Sequence, residues 1–206
     1  MKKLLSILIL FTCFSYIYGQ EDSLYSCGNL GEVIKKFNTY NRALERTLSN
    51  KYNDDFIIRY SVKPAFDPEY SFQIEEVNDK NYVLKTMEFK QNLWNTIYCD
   101  STKTVDYNYE QKNLNPELKA QIYRLFEHVI SSLTSRYYSG VGEGGITYNF
   151  YIKLNDTTID CSETWSPTKN STSYKLVQIC EEVMKHASND SIKKEDIVDK
   201  IEKFMK

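Results

Sequence analysis

Several patterns that mark common enzyme and metal-binding families are missing from this sequence. It contains only two histidines, His128 and His186, and neither lies in a spaced metal-binding pair. No Cys-x-x-Cys pair, no Gly-x-Ser-x-Gly elbow and no Gly-Lys-Ser/Thr step occurs. These absences argue against a structural zinc site, a serine hydrolase and a nucleotide-binding loop, and we expect neither a metal nor a cofactor.

The sequence also lacks an excess of basic residues. It has 26 lysines and arginines against 28 aspartates and glutamates, which gives a net charge of −2. A nucleic-acid-binding protein needs a concentrated basic face to replace the counterions of the phosphate groups. After the N-terminal segment, no apolar run approaches the ~20 residues needed to cross a bilayer. We therefore expect no nucleic acid partner and no membrane span in the mature protein.

The one long apolar run lies at the N-terminus and has the pattern of a signal peptide. Lys2 and Lys3 precede a run that begins at Leu4, and a polar stretch follows Gly19. Such a run is too short and wrongly flanked for a spanning helix. We predict that residues 1–19 are a signal peptide and that the protein is exported, either periplasmic or secreted.

Lipidation at Cys13 is the alternative for this segment. Phe11 and Thr12 stand where a lipoprotein signal has small residues, so this alternative is less favoured. The mature chain, residues 20–206, is long enough for one core but too short for two. No internal repeat or low-complexity linker divides it, so a single domain is expected.

Four segments have apolar residues at the three-and-four spacing of an amphipathic helix. The strongest begins at Asn115, a capping residue that is followed by Pro116 and Glu117, and its apolar stripe extends to Tyr137. The last, within residues 188–206, is terminal and is expected to dock loosely. The other predicted helices run from Leu30 to Leu48 and from Tyr174 to His186.

Alternating apolar residues predict a set of strands joined by short turns. In the clearest run, Ile146 to Leu154, the even-numbered residues are expected inside and the odd-numbered ones in solvent. Further strands are predicted at residues 56–62, 70–74, 82–86, 94–99, 105–109 and 157–162. The sequence therefore predicts an α+β fold, in which an antiparallel sheet of about six or seven strands is packed by two long helices and one or two short C-terminal helices.

Four cysteines remain after cleavage, and an even number in an exported chain favours disulfides. Cys161 shares a strand face with Ile159, and Cys180 lies in the apolar stripe of the following helix. Because both sulfurs are expected at one interface, we predict a Cys161–Cys180 disulfide and, by default, a Cys27–Cys99 disulfide. Buried free thiols are the alternative.

Residues 140–145 contain four of the seven glycines. A phosphate-binding loop stands between a strand and a following helix, whereas this loop stands between a helix and a following strand. We interpret it as a flexible connection whose glycines adopt positive φ. The alternative is a close-approach loop that presents Glu143 to a ligand.

Three short segments carry a resemblance to known sequences: ITYNFYIKL, SETWSP and KLVQICEEV. Together they resemble a pattern in uncharacterised small exported proteins of Bacteroidetes-type bacteria, over residues 144–184. Those proteins have Asp-Gly before the strand and Gly-x-x-Trp in the return, whereas this chain has Gly144 with Gly145 and places Ser162 before Trp165. The resemblance implies a bacterial envelope setting and no particular activity.

Binding is the function that the composition favours. The chain has 17 tyrosines, and a buried tyrosine hydroxyl must find a partner, so some of them are expected at the surface. Tyr151 lies on the polar face of its strand and Trp165 follows in the return loop, where both could stack on a sugar or anchor a protein. The leading hypothesis is a noncatalytic exported envelope module that binds protein or glycan through residues 140–165, with Glu143, Tyr151 and Trp165 as the site.

Other interpretations remain open. The tyrosines could instead lie half-buried on the sheet, which favours this residue type. A small hydrolase could use a pair of carboxylates among Glu143, Asp160 and Glu163. An inhibitor or immunity-like protein could insert an edge strand or a loop into the cleft of its partner.

Overall fold

The computed structural model of the protein describes residues 24–26, 38–78, 80–99, 102–132, 144–189 and 191–206. The described strands are β1 (Tyr25–Ser26), β2 (Phe56–Pro64), β3 (Tyr70–Asn78), β4 (Asn81–Phe89), β5 (Tyr107–Leu114), β6 (Ile146–Asn155) and β7 (Thr158–Trp165). The described helices are α1 (Asn38–Leu48), α2 (Leu93–Cys99), α3 (Pro116–Ser131), α4 (Thr172–Ser188) and α5 (Lys194–Phe204).

The seven strands form one antiparallel sheet in the order β1-β7-β6-β2-β3-β4-β5. Strands β2 to β5 follow one another as a meander, and the β6–β7 hairpin joins the sheet beside β2. The predicted α+β class and the antiparallel sheet are therefore confirmed. Among the described residues, no helix has the length and apolar character that crossing a bilayer requires.

One face of the sheet packs against α3, α4 and α5 and holds the larger core. At its centre the ring of Tyr60 lies 5.4 Å from the rings of both Phe72 and Phe150. Phe150 and the next even-numbered residue of β6 face this core, as predicted. Ile197 and Ile201 of α5 are completely buried there. Burial of an isoleucine contributes about 1.5–3 kcal/mol, so these two side chains help to hold the terminal helix on the core.

The opposite face of the sheet is covered by α1 and α2, and it is buried as well. Asn149 and Tyr151, odd-numbered residues of β6 that were expected in solvent, are 0% and 4% exposed. The prediction of a solvated face is wrong here because the sheet lies between two helical layers. The apolar residues that pack α1 and α2 onto this face are Ala43, Leu44, Leu48, Met87, Phe89, Leu93 and Ile97.

A chain of polar side chains crosses this second face and ties α1 to three strands. Arg59 of β2 donates from Nη1 to Glu45 Oε2 of α1 at 2.8 Å and from Nε to Gln73 Oε1 of β3 at 2.6 Å. Gln73 donates to Glu75 Oε1 at 2.8 Å, and Lys85 Nζ of β4 pairs with Glu75 Oε2 at 2.7 Å. Each buried charge is therefore paired or hydrogen-bonded, as burial requires.

The helix predicted from Asn115 begins as expected. The Asn115 side chain accepts a hydrogen bond from the Glu117 backbone, and Pro116 occupies the first turn. The helix ends at Ser131, and the later part of the predicted stripe lies outside the described residues. The same holds for the beginning of the predicted helix at residues 30–37, since α1 is described from Asn38.

The strand predicted at residues 94–99 is wrong, because this segment forms the helix α2. The Asn92 side chain accepts from the Asn95 backbone at 2.9 Å, and Glu69 accepts from the Leu93 backbone at 2.7 Å. These two caps satisfy donors that a short helix leaves unpaired. Leu93 and Ile97 are four residues apart, so a helix puts both on one face, and both are buried against α1.

The predicted Cys161–Cys180 disulfide is also wrong. Cys180 is a free, buried thiol in the larger core, whereas Cys161 is disulfide-bonded and lies on the opposite face beside Tyr151. A register shift near the β6–β7 turn, between Lys153 and Asn155, moves every later residue of β7 by one position. A one-residue shift turns a side chain to the other face of a sheet. The predicted partner pair, Cys27 with the Cys99 side chain, lies outside the described residues.

Candidate functional site

A cleft of about 420 Å³ opens between α4 and the end of the sheet formed by β3, β4 and β5. We call it the acidic cleft and define it by the residues that dominate its chemistry, which are Tyr70, Glu88, Asn108, Glu110, Glu181 and Lys185. A concave site with a few convergent polar groups is the default candidate for ligand binding in a structure of unknown function.

The sheet register brings the strand residues of the cleft together. Tyr70 of β3 pairs with Glu88 of β4, and Glu88 pairs in turn with Asn108 of β5. Paired residues of antiparallel strands share one face, so these three side chains form a row that runs to the edge of the sheet. Glu110 of β5 lies in the next row on the same face, opposite Thr86.

Glu181 reaches the cleft from α4 and is held by two tyrosines. Its Oε1 accepts hydrogen bonds from the hydroxyl groups of Tyr60 and Tyr70, each at 2.8 Å. Its Oε2 makes no hydrogen bond to any residue that the structure describes, so it remains available as an acceptor. Glu181 also lines the cleft, so a carboxylate held through one oxygen stands at this site.

The protonation of this group is perturbed. Burial raises the pKa of Glu181, and the charge of Glu88 raises it further, whereas the two tyrosine hydrogen bonds and Lys185 lower it. Burial, together with the charge of Glu181, also raises the pKa of Tyr60 and that of Tyr70, so both tyrosines stay neutral donors. A carboxyl group with a raised pKa in a cleft is a candidate for function.

The rest of the cleft is acidic. Glu88 and Glu110 are exposed at its mouth, where Lys185 is the one basic residue of the lining. Lys112 of β5 donates to the backbone carbonyl of His186 at 2.9 Å and so attaches the end of α4 to the edge strand. This arrangement suits a cationic group better than an anion. In the described part of the chain, no cluster of three or more His, Cys, Asp or Glu residues is placed to hold a metal ion.

The residues predicted from the sequence do not form a site together. Glu143 lies outside the described residues. Tyr151 is buried with Phe56 and Cys161 on the α1 side of the sheet, so it presents no exposed ring to a ligand. Trp165 is half-buried, and its register with Thr147 puts it on that same side, away from the acidic cleft.

The carboxylates proposed for a hydrolase at the β6–β7 hairpin are also separated. Asp160 pairs with Ile152 and Glu163 pairs with Asn149. Ile152 belongs to the larger core, whereas Asn149 lies in the other face, so the two carboxylates project from opposite faces of the sheet. They cannot act on one bond as an acid and base pair.

A second candidate surface lies at the other helical layer. Trp94 and Tyr98 of α2 are 49% and 78% exposed, and their rings are 6.2 Å apart. Tyr40 of α1 supports Trp94 edge-on at 5.8 Å. Phe66, in the turn between β2 and β3, is 79% exposed. Exposed aromatic side chains of this size mark interaction surfaces more often than isolated apolar residues do.

The sequence held only part of the signal for the acidic cleft. Tyr70 stands in the predicted alternation of its strand, on the same face as Phe72. Glu181 stands next to Cys180 and four residues after Val177, at the border of the apolar stripe of α4. A charged residue at such a border is normally solvated, and nothing in the local pattern indicates that two tyrosines from distant strands meet it.

No family model matches this chain, and neither a curated protein nor a solved structure is significantly similar to it. The function therefore has to be argued from the geometry of the site.

Proposed function

We propose that this protein is a noncatalytic, exported module of a bacterial envelope that binds a partner protein through the acidic cleft. One observation carries the proposal. Glu181 lines the cleft and is oriented by the hydroxyl groups of Tyr60 and Tyr70 at 2.8 Å, while its second oxygen has no hydrogen-bond partner among the described residues. The signal-peptide pattern of residues 1–19 supports export.

The charges at the cleft define the ligand chemistry. Glu88, Glu110 and Glu181 outnumber Lys185, so a lysine or arginine side chain of the partner complements the site. Truncating one partner of a buried, hydrogen-bonded charge pair in an interface costs about 2–5 kcal/mol, whereas a charge at the rim mainly changes the association rate. We therefore assign most of the affinity to Glu181, and we assign the electrostatic attraction that speeds association with the partner to Glu88 and Glu110.

The test is capture of partners from the native envelope by the immobilised mature protein. Glu181→Gln keeps the size and an acceptor oxygen for the tyrosines but removes the charge, so it is expected to weaken capture about 30-fold or more. Glu202→Gln, at an exposed position of α5, is the matched control and retains capture. Trp165→Ala tests the region favoured by the sequence. If Glu181→Gln retains every partner, the cleft is not the binding site.

A small carboxylate-dependent hydrolase is the second candidate, and the raised pKa of Glu181 favours it. A carboxyl group with a raised pKa can serve as a general acid, with a carboxylate such as Glu88 as the base. A panel of 4-nitrophenyl glycosides tests this candidate. Turnover that Glu181→Gln abolishes supports it, and the absence of turnover by the wild-type protein favours the binding module.

A further inference from the structure

β5 is the outermost strand at one end of the described sheet. It comes last in the strand order and pairs with β4. In an antiparallel pair, every second residue directs its backbone N–H and C=O away from the neighbouring strand. Within the described part of the chain, no strand lies beside the outer edge of β5, so every second one of its eight residues presents its backbone donor and acceptor there.

Two of the protections that edge strands normally carry are absent from β5. It contains no proline, and its register with β4 runs from Tyr107 to Leu114 without a bulge. Its one lysine, Lys112, donates from its ammonium group to the His186 carbonyl of α4. The other end of the sheet differs, because the short strand β1 occupies the outer side of β7.

The open edge and the acidic cleft share residues. Asn108 and Glu110 belong to β5, lie on the face that α4 covers, and line the cleft. A strand added outside β5 would place every second side chain on that same face, next to these two residues. Those side chains would lie beside Glu110 at the β5 side of the cleft, whereas the alternate side chains would lie beside the half-buried Tyr109 on the other face.

We propose that an extended segment of a partner protein, with basic side chains at alternate positions, adds to β5 as an eighth strand. Backbone hydrogen bonds to β5 supply affinity that does not depend on sequence, and the basic side chains in the acidic cleft supply specificity. This inference rests on the proposed function and adds to it the conformation of the partner and the charge pattern that β5 and the cleft select.

The probe is a short fluorescent peptide in which threonine and lysine alternate, and binding to the mature protein is measured by anisotropy. Two matched peptides carry the same charges and are N-methylated either at every lysine or at every threonine. Lysine and threonine amides point to opposite edges of an extended strand. Strand addition predicts that one methylated peptide binds about tenfold or more weakly and the other like the parent, because only one edge pairs with β5. The sensitive peptide also reports the direction of the added strand.

The outcomes separate this inference from the proposed function. If both methylated peptides bind as tightly as the parent, strand addition is overturned, while weaker binding of all three peptides to Glu181→Gln still supports capture by the cleft. If the parent peptide does not bind, the inference is overturned and the proposed function is judged by envelope capture alone. Slower amide hydrogen exchange within Tyr107–Leu114 on peptide binding supports strand addition, and unchanged exchange in a bound complex overturns it.

Discussion

Removal of Glu45 tests whether the polar chain on the second face of the sheet holds α1 in place. Arg59 is 2% exposed, and its guanidinium group has Glu45 Oε2 as its one carboxylate partner among the described residues, at 2.8 Å. Glu45→Ala therefore leaves a buried cation without a counter-charge. The stability of the whole domain should fall, because α1 and β2 belong to one cooperative unit.

The expected magnitude follows from the surroundings of the two side chains. Breaking a fully buried ion pair by removing one partner costs about 3–5 kcal/mol. The Glu45 side chain retains 27% exposure, so water reaches the vacated position. Arg59 also keeps its bond to Gln73 at 2.6 Å and its contact with the Phe56 ring at 4.4 Å. We therefore expect Glu45→Ala to lower the free energy of unfolding by about 2–3 kcal/mol.

The assay is urea denaturation followed by circular dichroism, with the midpoint and slope fitted together. Glu127→Ala, an exposed carboxylate of α3, is the control and should change stability by no more than about 0.5 kcal/mol. Glu45→Ala combined with Arg59→Met removes both charges and should recover about 1 kcal/mol or more relative to Glu45→Ala alone. A loss below about 0.5 kcal/mol in Glu45→Ala would refute the argument, since the cation would then need no partner.

Three further predictions concern other parts of the molecule. Glu181→Gln should gain stability relative to the wild type as pH rises above 4.5, the ordinary pKa of the carboxyl group. Burial raises the folded-state pKa of Glu181, so ionisation of this group destabilises the folded wild-type protein. Urea unfolding at several pH values measures the difference between the two proteins, and a difference that does not change with pH contradicts the prediction. Gly145→Ala should lower the free energy of unfolding by about 2–3 kcal/mol and Gly144→Ala by about 1 kcal/mol. Both glycines have positive φ, but only at Gly145 would a Cβ lie 2.5 Å from a neighbouring side-chain oxygen. Equal losses of stability in thermal or urea unfolding would show that this close approach is relieved. Peptide mapping without reduction should find Cys161 in a disulfide. Cys180 should react with iodoacetamide only after unfolding, because its thiol is buried and burial raises its pKa. Labelling of Cys180 in the folded protein would contradict this.

The sequence predicted those parts of the fold that local signals determine. Asn115 and Pro116 mark the start of a helix through backbone chemistry that needs no distant partner. The alternation along β6 likewise predicted that Phe150 lies on the inner face of the strand. Other local expectations failed where tertiary structure intervened. The segment from Trp94 forms a helix, and one of its two caps comes from Glu69, a residue 24 positions before Leu93.

The predicted Cys161–Cys180 pairing is wrong because of an irregularity in the β6–β7 hairpin. Asn155 pairs with Thr158, and continuing that register without a bulge would put Cys161 opposite Ile152, in the larger core with Cys180. The irregularity between Lys153 and Asn155 shifts the register by one residue and turns Cys161 to the opposite face. The alternation within one strand shows which of its residues share a face. It does not reveal a bulge that shifts the register between two strands.

The acidic cleft could not be predicted because its residues are far apart in the chain. The bond from Tyr70 to Glu181 spans 111 residues, and the bond from Tyr60 spans 121. Each residue is unremarkable in its own segment, since a tyrosine in a strand and a glutamate beside an apolar helix stripe are common. Only the order of β3, β4 and β5 and the docking of α4 bring them to one place.

The way Glu181 is supported explains why it, rather than its neighbours, should decide affinity. The ring of Tyr60 is completely buried between Phe72 and Phe150, so core packing fixes the direction of its hydroxyl group. A carboxylate held by that hydroxyl loses little conformational freedom when a ligand arrives, which is the advantage of a preorganised site. Glu88 and Glu110 are exposed and lose rotamer freedom on binding. The core that stabilises the fold is therefore also the support that holds the carboxylate of Glu181, the group that we propose binds the partner, in place.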